Sequence, residues 1–126
     1  MKTSFIVIQL LLTSFVSIEN NSPNDILGTW LMANKNVIVE IYKADNQYFG
    51  KVIWMDKDAN KRNFSLGGII IDKMQYNPST QKYESGNFYG RGHKLSCELR
   101  LVEKDRIEVK VSKGILHQIR YCTRVS

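Results

Sequence analysis

Histidines, cysteines, acids and hydroxyls all occur in this chain, but no spacing among them assembles a recognisable reaction centre. An enzyme needs a nucleophile with a base, two placed carboxylates, or a set of metal ligands. There is no Gly-x-Ser-x-Gly elbow and no phosphate-binding glycine loop. His93 and His117 have no Cys or His at ligand spacing, and no Cys-x-x-Cys or His-Glu-x-x-His occurs. Glu84, beside Tyr83 and Ser85, has the chemistry of an acid or of a cation partner, but nothing in its spacing selects it. The residues therefore predict no catalytic site, no cofactor and no metal.

Binding chemistry is better represented. Tyr42, Tyr48, Phe49, Trp54, Tyr76, Tyr83, Phe88 and Tyr89 supply enough aromatic surface to line an apolar pocket. The same residues equally suit a filled core. If a pocket forms, Tyr48, Trp54 and Tyr89 are candidates for its walls. His117, set among Ile115, Leu116 and Ile119, adds a group that orients a ligand. The competing reading of His117 is a half-buried histidine with its hydrogen bonds satisfied.

The N-terminus bears on where such binding takes place. Lys2 precedes an apolar run from Ser4 to Val16, with small residues at Ser14 and Ser17. This is the layout of a secretory signal peptide over residues 1–17. The run is shorter than the roughly 20 residues of a membrane-spanning helix. No Cys ends the run, so a lipoprotein anchor is not indicated. Export to the periplasm or beyond the cell follows. Two cysteines in an exported chain, Cys97 and Cys122, predict a disulfide, with buried free thiols as the alternative.

Charge narrows the partners. The chain carries 18 Lys and Arg against 12 Asp and Glu. Removing Lys2 with the signal leaves 17 minus 12, or +5. The cations alternate with acids, as in Glu98-Leu99-Arg100 and Glu103-Lys104-Asp105-Arg106, which marks a solvated strand face rather than a nucleic-acid site. The densest basic group, Lys57, Lys61 and Arg62, falls in a loop that suits an acidic protein or envelope partner.

These groups must be positioned by strands. Turn residues punctuate the chain every 10 to 15 residues, and no segment sustains a helical period. An exposed lead-in over residues 18–26 precedes a single domain over residues 27–126. Strands are predicted at 27–33, 37–43, 47–55, 66–76, 82–89, 95–101, near 106–111, and 115–125. The alternation Leu95, Cys97, Leu99, Leu101 and then Ile107, Val109, Val111 is the clearest. About eight short strands joined by tight turns predict an all-β fold, a small antiparallel up-and-down β-barrel. Closure also removes exposed sheet edges.

Four stretches then resemble a known family: Gly28-Thr29-Trp30, Tyr48-Phe49-Gly50-Lys51-Val52-Ile53-Trp54, Tyr83-Glu84-Ser85-Gly86-Asn87-Phe88-Tyr89, and Thr123-Arg124. In order and spacing they are similar to domain-of-unknown-function family 2147, exported bacterial proteins. The resemblance implies a lipocalin-like barrel and brings no established activity. The chain departs from the family pattern in its short loop from Asp56 to Ser65, in Gly90-Arg91 after Phe88-Tyr89, and in Cys122 where a Trp is common.

The Gly-x-Trp spacing of Gly28 and Trp30, with Arg124 near the end, is similar to the lipocalin pattern in which an arginine of the last strand packs on that tryptophan. A cation–π contact of roughly 0.5–2 kcal/mol would close one barrel end structurally. Pattern parity conflicts with it. Ile115, Ile119 and Tyr121 read as inward, which turns Cys122 and Arg124 outward unless the last strand carries a bulge. The reading that follows is a barrel enclosing a small, partly apolar ligand. The alternative is a filled barrel acting as an envelope-associated or secreted interaction module.

Overall fold

The computed structural model describes residues 22–60, 64–90 and 92–126. The expected signal segment, residues 1–17, lies outside them. Eight antiparallel strands follow one another: β1 (Gly28–Leu31), β2 (Val37–Ala44), β3 (Gln47–Met55), β4 (Ile69–Asn77), β5 (Lys82–Gly90), β6 (His93–Glu103), β7 (Arg106–Lys113) and β8 (Leu116–Arg124). Each pairs with the next, and β8 returns to β1, so the sheet closes as an up-and-down barrel.

Strictly alternating turns give the barrel two unlike ends. One end carries the β2–β3, β4–β5 and β6–β7 turns, and here the chain is tight. Asp45 and Asn46 both take positive φ, at 51° and 64°, the geometry of a two-residue hairpin turn that matches strand twist. The other end carries the β1–β2, β3–β4, β5–β6 and β7–β8 connections. The β3–β4 connection holds a single-turn helix, α1 (Lys57–Asn60), whose first amides, those of Asp58 and Ala59, donate to Asp56 Oδ1 at 2.9 and 3.0 Å.

The tight end is sealed from within. Pro23–Ile26 forms a 3-10 turn capped by Ser22, and Ile26 is fully buried beneath it. Of the expected exposed lead-in, the described residues 22–25 are exposed and Ile26 belongs to the core. Trp30 Nε1 donates to Ile26 O at 3.0 Å, Tyr48 Oη to Asn24 Oδ1 at 3.2 Å, and Tyr83 Oη to Pro23 O. Above this plug, Val39, Ile41, Val52, Met74, Leu99 and Ile107 fill the barrel.

Bulges decide which side chains point inward. In β3 the pairing slips between Val39↔Val52 and Ile38↔Trp54, so Ile53 is an extra residue. In β4, Lys73 has φ 56°, and in β5 Ser85 has φ 65° where the β5–β6 register shifts. Beyond each bulge the inward set changes parity: Tyr83 gives way to Gly86 and Phe88 in β5, and Ile71 to Met74 in β4.

The last strand corrects the expected parity. β8 pairs with β7 from Arg106↔Thr123 to Lys113↔Leu116 without any slip. No bulge is present, and the faces are the reverse of the pattern reading. Cys122 is buried, while Ile115, Ile119 and Tyr121 are 91%, 46% and 42% exposed.

Cys97 and Cys122 are buried free thiols, which corrects the expected disulfide. Cys97 stands opposite Val111 and Cys122 opposite Ile107, with β7 between them. Their rungs are four residues apart on β7, roughly 13 Å along the strand at ~3.3 Å per residue. A disulfide needs Cα atoms within about 7 Å. Cys122 Sγ instead lies 3.5 Å from Met32 Sδ.

Candidate ligand site at the open end of the barrel

The core stops partway along the barrel. Towards the end opposite the plug, the interior opens into a cavity of about 440 Å3. Its floor and walls are apolar: Met32, Val37, Phe64, Phe88, Leu95, Val109, Val111 and Cys122. Strand order explains the set. Val109 and Val111 continue the inner row of β7 above Ile107, and Phe88 reaches the interior because the Ser85 bulge has reset β5.

The rim is polar and of one sign. Lys113, Arg120 and His93 lie among the lining residues, with Asn34, Asn36 and Gln118 and, among the described residues, no Asp or Glu. Arg120 pairs with Val109 and Gln118 with Val111, so both occupy inner-face rungs of β8. Arg120 Nη1 donates to its neighbour's carbonyl, Ile119 O, at 3.0 Å. None of the ion pairs among the described residues engages Arg120 or Lys113; the five salt bridges involve Lys51, Lys82, Arg100, Arg106 and Arg124.

The thiols contribute no reactive group. Desolvation pushes both Cys97 and Cys122 up to about 12, with the Cys122 charge a further cause at Cys97. Both are therefore protonated and poorly nucleophilic near neutral pH. Among the described residues, no group of three or more His, Cys, Asp or Glu is gathered in a way that could hold a metal ion.

The four residues expected to contact a ligand are not among the lining residues of this cavity. Tyr48 lies in the packed half, 2% exposed and edge-on to Tyr83 at 5.0 Å. Trp54 is 45% exposed, because the Ile53 bulge places it beside Ile38 on the outer face. Tyr89 donates to Asp72 Oδ2 at 2.8 Å, a hydrogen bond that raises its pKa. His117 is on the outer face of β8, its Nδ1 3.1 Å from Ser112 Oγ. A hollow of about 540 Å3 touches Tyr48, but it lies outside the sealed end, between Pro23, Lys43, Asp45, Tyr76 and Pro78. Set between surface turns rather than inside the barrel, it encloses less of a ligand than the cavity does.

Sequence reasoning missed Arg120, Gln118 and Lys113. The signal was present in β8, where Gln118 and Arg120 fall on inner rungs and Ile119 and Tyr121 on outer ones. An inverted alternation of this kind marks a strand whose inner face meets space rather than core.

Trp30 and Arg124 do meet, at the sealed end. They are partners across the β1–β8 closure, and Arg124 Cζ lies 4.2 Å from the Trp30 ring centre.

Comparison with known proteins agrees with this architecture. Residues 28–124 match the model of domain-of-unknown-function family 2147, described as an uncharacterized protein conserved in bacteria. The chain belongs to that family. Among solved structures it is similar to a protein from the human pathogen Helicobacter pylori described as belonging to the lipocalin family. The TM-score is 0.62 at 15% identity, with 80% of this chain and 83% of that chain covered. At that identity the likeness speaks for the fold alone. No curated protein matches. The expected lipocalin-like eight-stranded barrel is thus shown by both topology and family. Among the described residues, no helix is long and apolar enough to cross a membrane.

Proposed function

We propose that this member of family 2147 binds a small, partly apolar molecule in the open half of its barrel, after export to the periplasm or the medium. The observation that carries the reading is the division of the interior. One half is packed against a sealed end, and the other holds about 440 Å3 walled by Phe64, Phe88, Leu95, Val109 and Val111. Ligand sites are typically clefts of about 300–1,000 Å3 with apolar walls and a few convergent polar groups. This cavity sits at the small end of that range, which fits a body of one or two linked small ring systems or a short chain.

The alternative of a filled barrel acting only through its outer surface is less favoured, because the filling stops at the level of Val109 and Cys122. Export rests on Lys2 and the apolar run that follows it.

The test is native mass spectrometry of the mature protein purified gently from its own host. A reproducible added mass, lost on denaturation and absent from a Val111→Trp variant, is the expected result. A bare monomer, together with no uptake of any added apolar probe, would overturn the reading.

A further inference from the structure

We infer that the ligand is an amphipathic anion: a compact apolar body seated among the valines and phenylalanines, with one oxyanion head held at the rim by Arg120 and Lys113. This rests on the reading of the cavity as a ligand site and adds the charge of its occupant.

Three observations carry it. First, two inner rungs of β8 at the cavity, Gln118 and Arg120, are polar where the β7 residues opposite them, Val111 and Val109, are apolar. Arg120 pairs with Val109, which is 4% exposed, so a guanidinium stem rises directly from the apolar wall. Second, the rim has Lys113, Arg120 and His93 and, among the described residues, no carboxylate, although acids alternate with cations elsewhere on this chain. Third, cations on the outer strand faces meet acids there, as in Arg100–Glu108, Lys82–Glu98 and Lys51–Glu40. Arg120 donates only to the carbonyl of Ile119 among the described residues.

The chemistry follows. A neutral apolar ligand would leave the rim cations with water as their partner. An oxyanion exchanges that hydration for short, charge-assisted hydrogen bonds, and a guanidinium presents two parallel N–H groups to a carboxylate, sulfonate or phosphate. Arg120 and Lys113 are themselves exposed at the rim, so this attraction is modest and weakens with salt. Gln118, opposite Val111 on the same inner row, adds a neutral amide among the lining residues.

Two fluorescent probes with one body isolate the charge: anilinonaphthalene sulfonate, which is anionic, and phenylnaphthylamine, its neutral counterpart. Both are titrated against the purified mature protein. The expected result is binding of the sulfonate about tenfold tighter than the neutral probe, as charge-assisted contacts to Arg120 and Lys113 provide. Arg120→Gln with Lys113→Gln should remove that preference and bring the two probes to equal affinity, with circular dichroism reporting that the variant is folded. Val111→Trp should abolish both. Short-chain carboxylates should displace the sulfonate, and the matching alcohols should not.

Equal affinity for the two probes in the native protein, or a preference that survives the double variant, overturns the anionic assignment and leaves the cavity as a neutral site. Failure of both probes to bind, or binding that survives Val111→Trp, overturns the site itself.

Discussion

Trp30 and Arg124 occupy one rung of the barrel closure, with the guanidinium 4.2 Å from the indole centre. The same guanidinium donates to three carbonyls: Leu27 O at 3.0 Å, Asp25 O at 2.7 Å and Lys104 O at 3.1 Å. One side chain thus ties the last strand to the 3-10 plug and to the β6–β7 turn. Arg124→Ala is expected to destabilise the fold by about 2–4 kcal/mol, from lost charged hydrogen bonds and cation–π contact. Arg124→Lys should recover only part, because an ammonium lacks the planar fork that reaches several carbonyls at once. Urea unfolding measures both. A change below about 0.5 kcal/mol for Arg124→Ala, the size of an ordinary surface substitution, would falsify this role.

Gly86 tests the bulges. A Cβ there would lie 2.2 Å from Met74 Sδ and 2.4 Å from Asp72 O. Gly86 lies next to Ser85 in β5 and faces the β4 segment around Lys73, and Ser85 and Lys73 both have positive φ. Gly86→Ala should therefore cost about 1–3 kcal/mol through overpacking against backbone that cannot give way. Gly114→Ala is the control. Its φ of 62° brings strain of about 1 kcal/mol, but nothing stands within 4 Å. Thermal denaturation of the two variants should rank Gly86→Ala well below Gly114→Ala; the reverse order would contradict the packing seen at β4–β5.

The thiols give a pH dependence with a definite sign. Cys97 and Cys122 are raised from 9.0 to about 12 in the folded state by desolvation. A raised folded pKa means the native state holds its protons where the unfolded chain has lost them. Their contribution is fully present below about pH 9 and is lost as pH rises from there through about 12. Burial raises Tyr83 as well, in the same direction. The urea midpoint of the native protein should fall between pH 8 and pH 10.5, and fall less in a Cys97→Ala/Cys122→Ala variant, where Tyr83 alone of these three remains. An equal fall in both proteins would remove the thiols from the account. Native-state alkylation of either cysteine near neutral pH should be slow.

Strand number, the meander and the closed barrel were legible because turn chemistry and period-two alternation are local properties. The inner row of β7 and the Leu95–Leu99 row of β6 were read correctly for the same reason. What failed was long-range. Trp54 and Tyr89 each lie past a bulge, at Ile53 and Ser85, and one added residue exchanges the faces of everything beyond it. The site residues on β8 were illegible for a different reason. The rule that apolar residues point inward presumes a filled interior, and near the rim the interior is not filled.

That inversion makes the final prediction, and it separates the two readings of β8 directly. If Ile119 and Tyr121 were core residues, Ile119→Thr would cost several kcal/mol as a buried apolar loss with an added hydroxyl. They lie instead on the outer face opposite Lys110 and Glu108, with Arg106 Cζ 4.8 Å from the Tyr121 ring. Ile119→Thr should therefore change stability by less than about 0.5 kcal/mol. Val109→Thr, at an inner rung 4% exposed, should cost about 1–3 kcal/mol by placing a hydroxyl in an apolar wall. Chemical denaturation of the pair decides the strand's orientation. A large loss at Ile119 with a small one at Val109 would turn Arg120 out of the cavity and remove the cationic rim on which ligand charge selection depends.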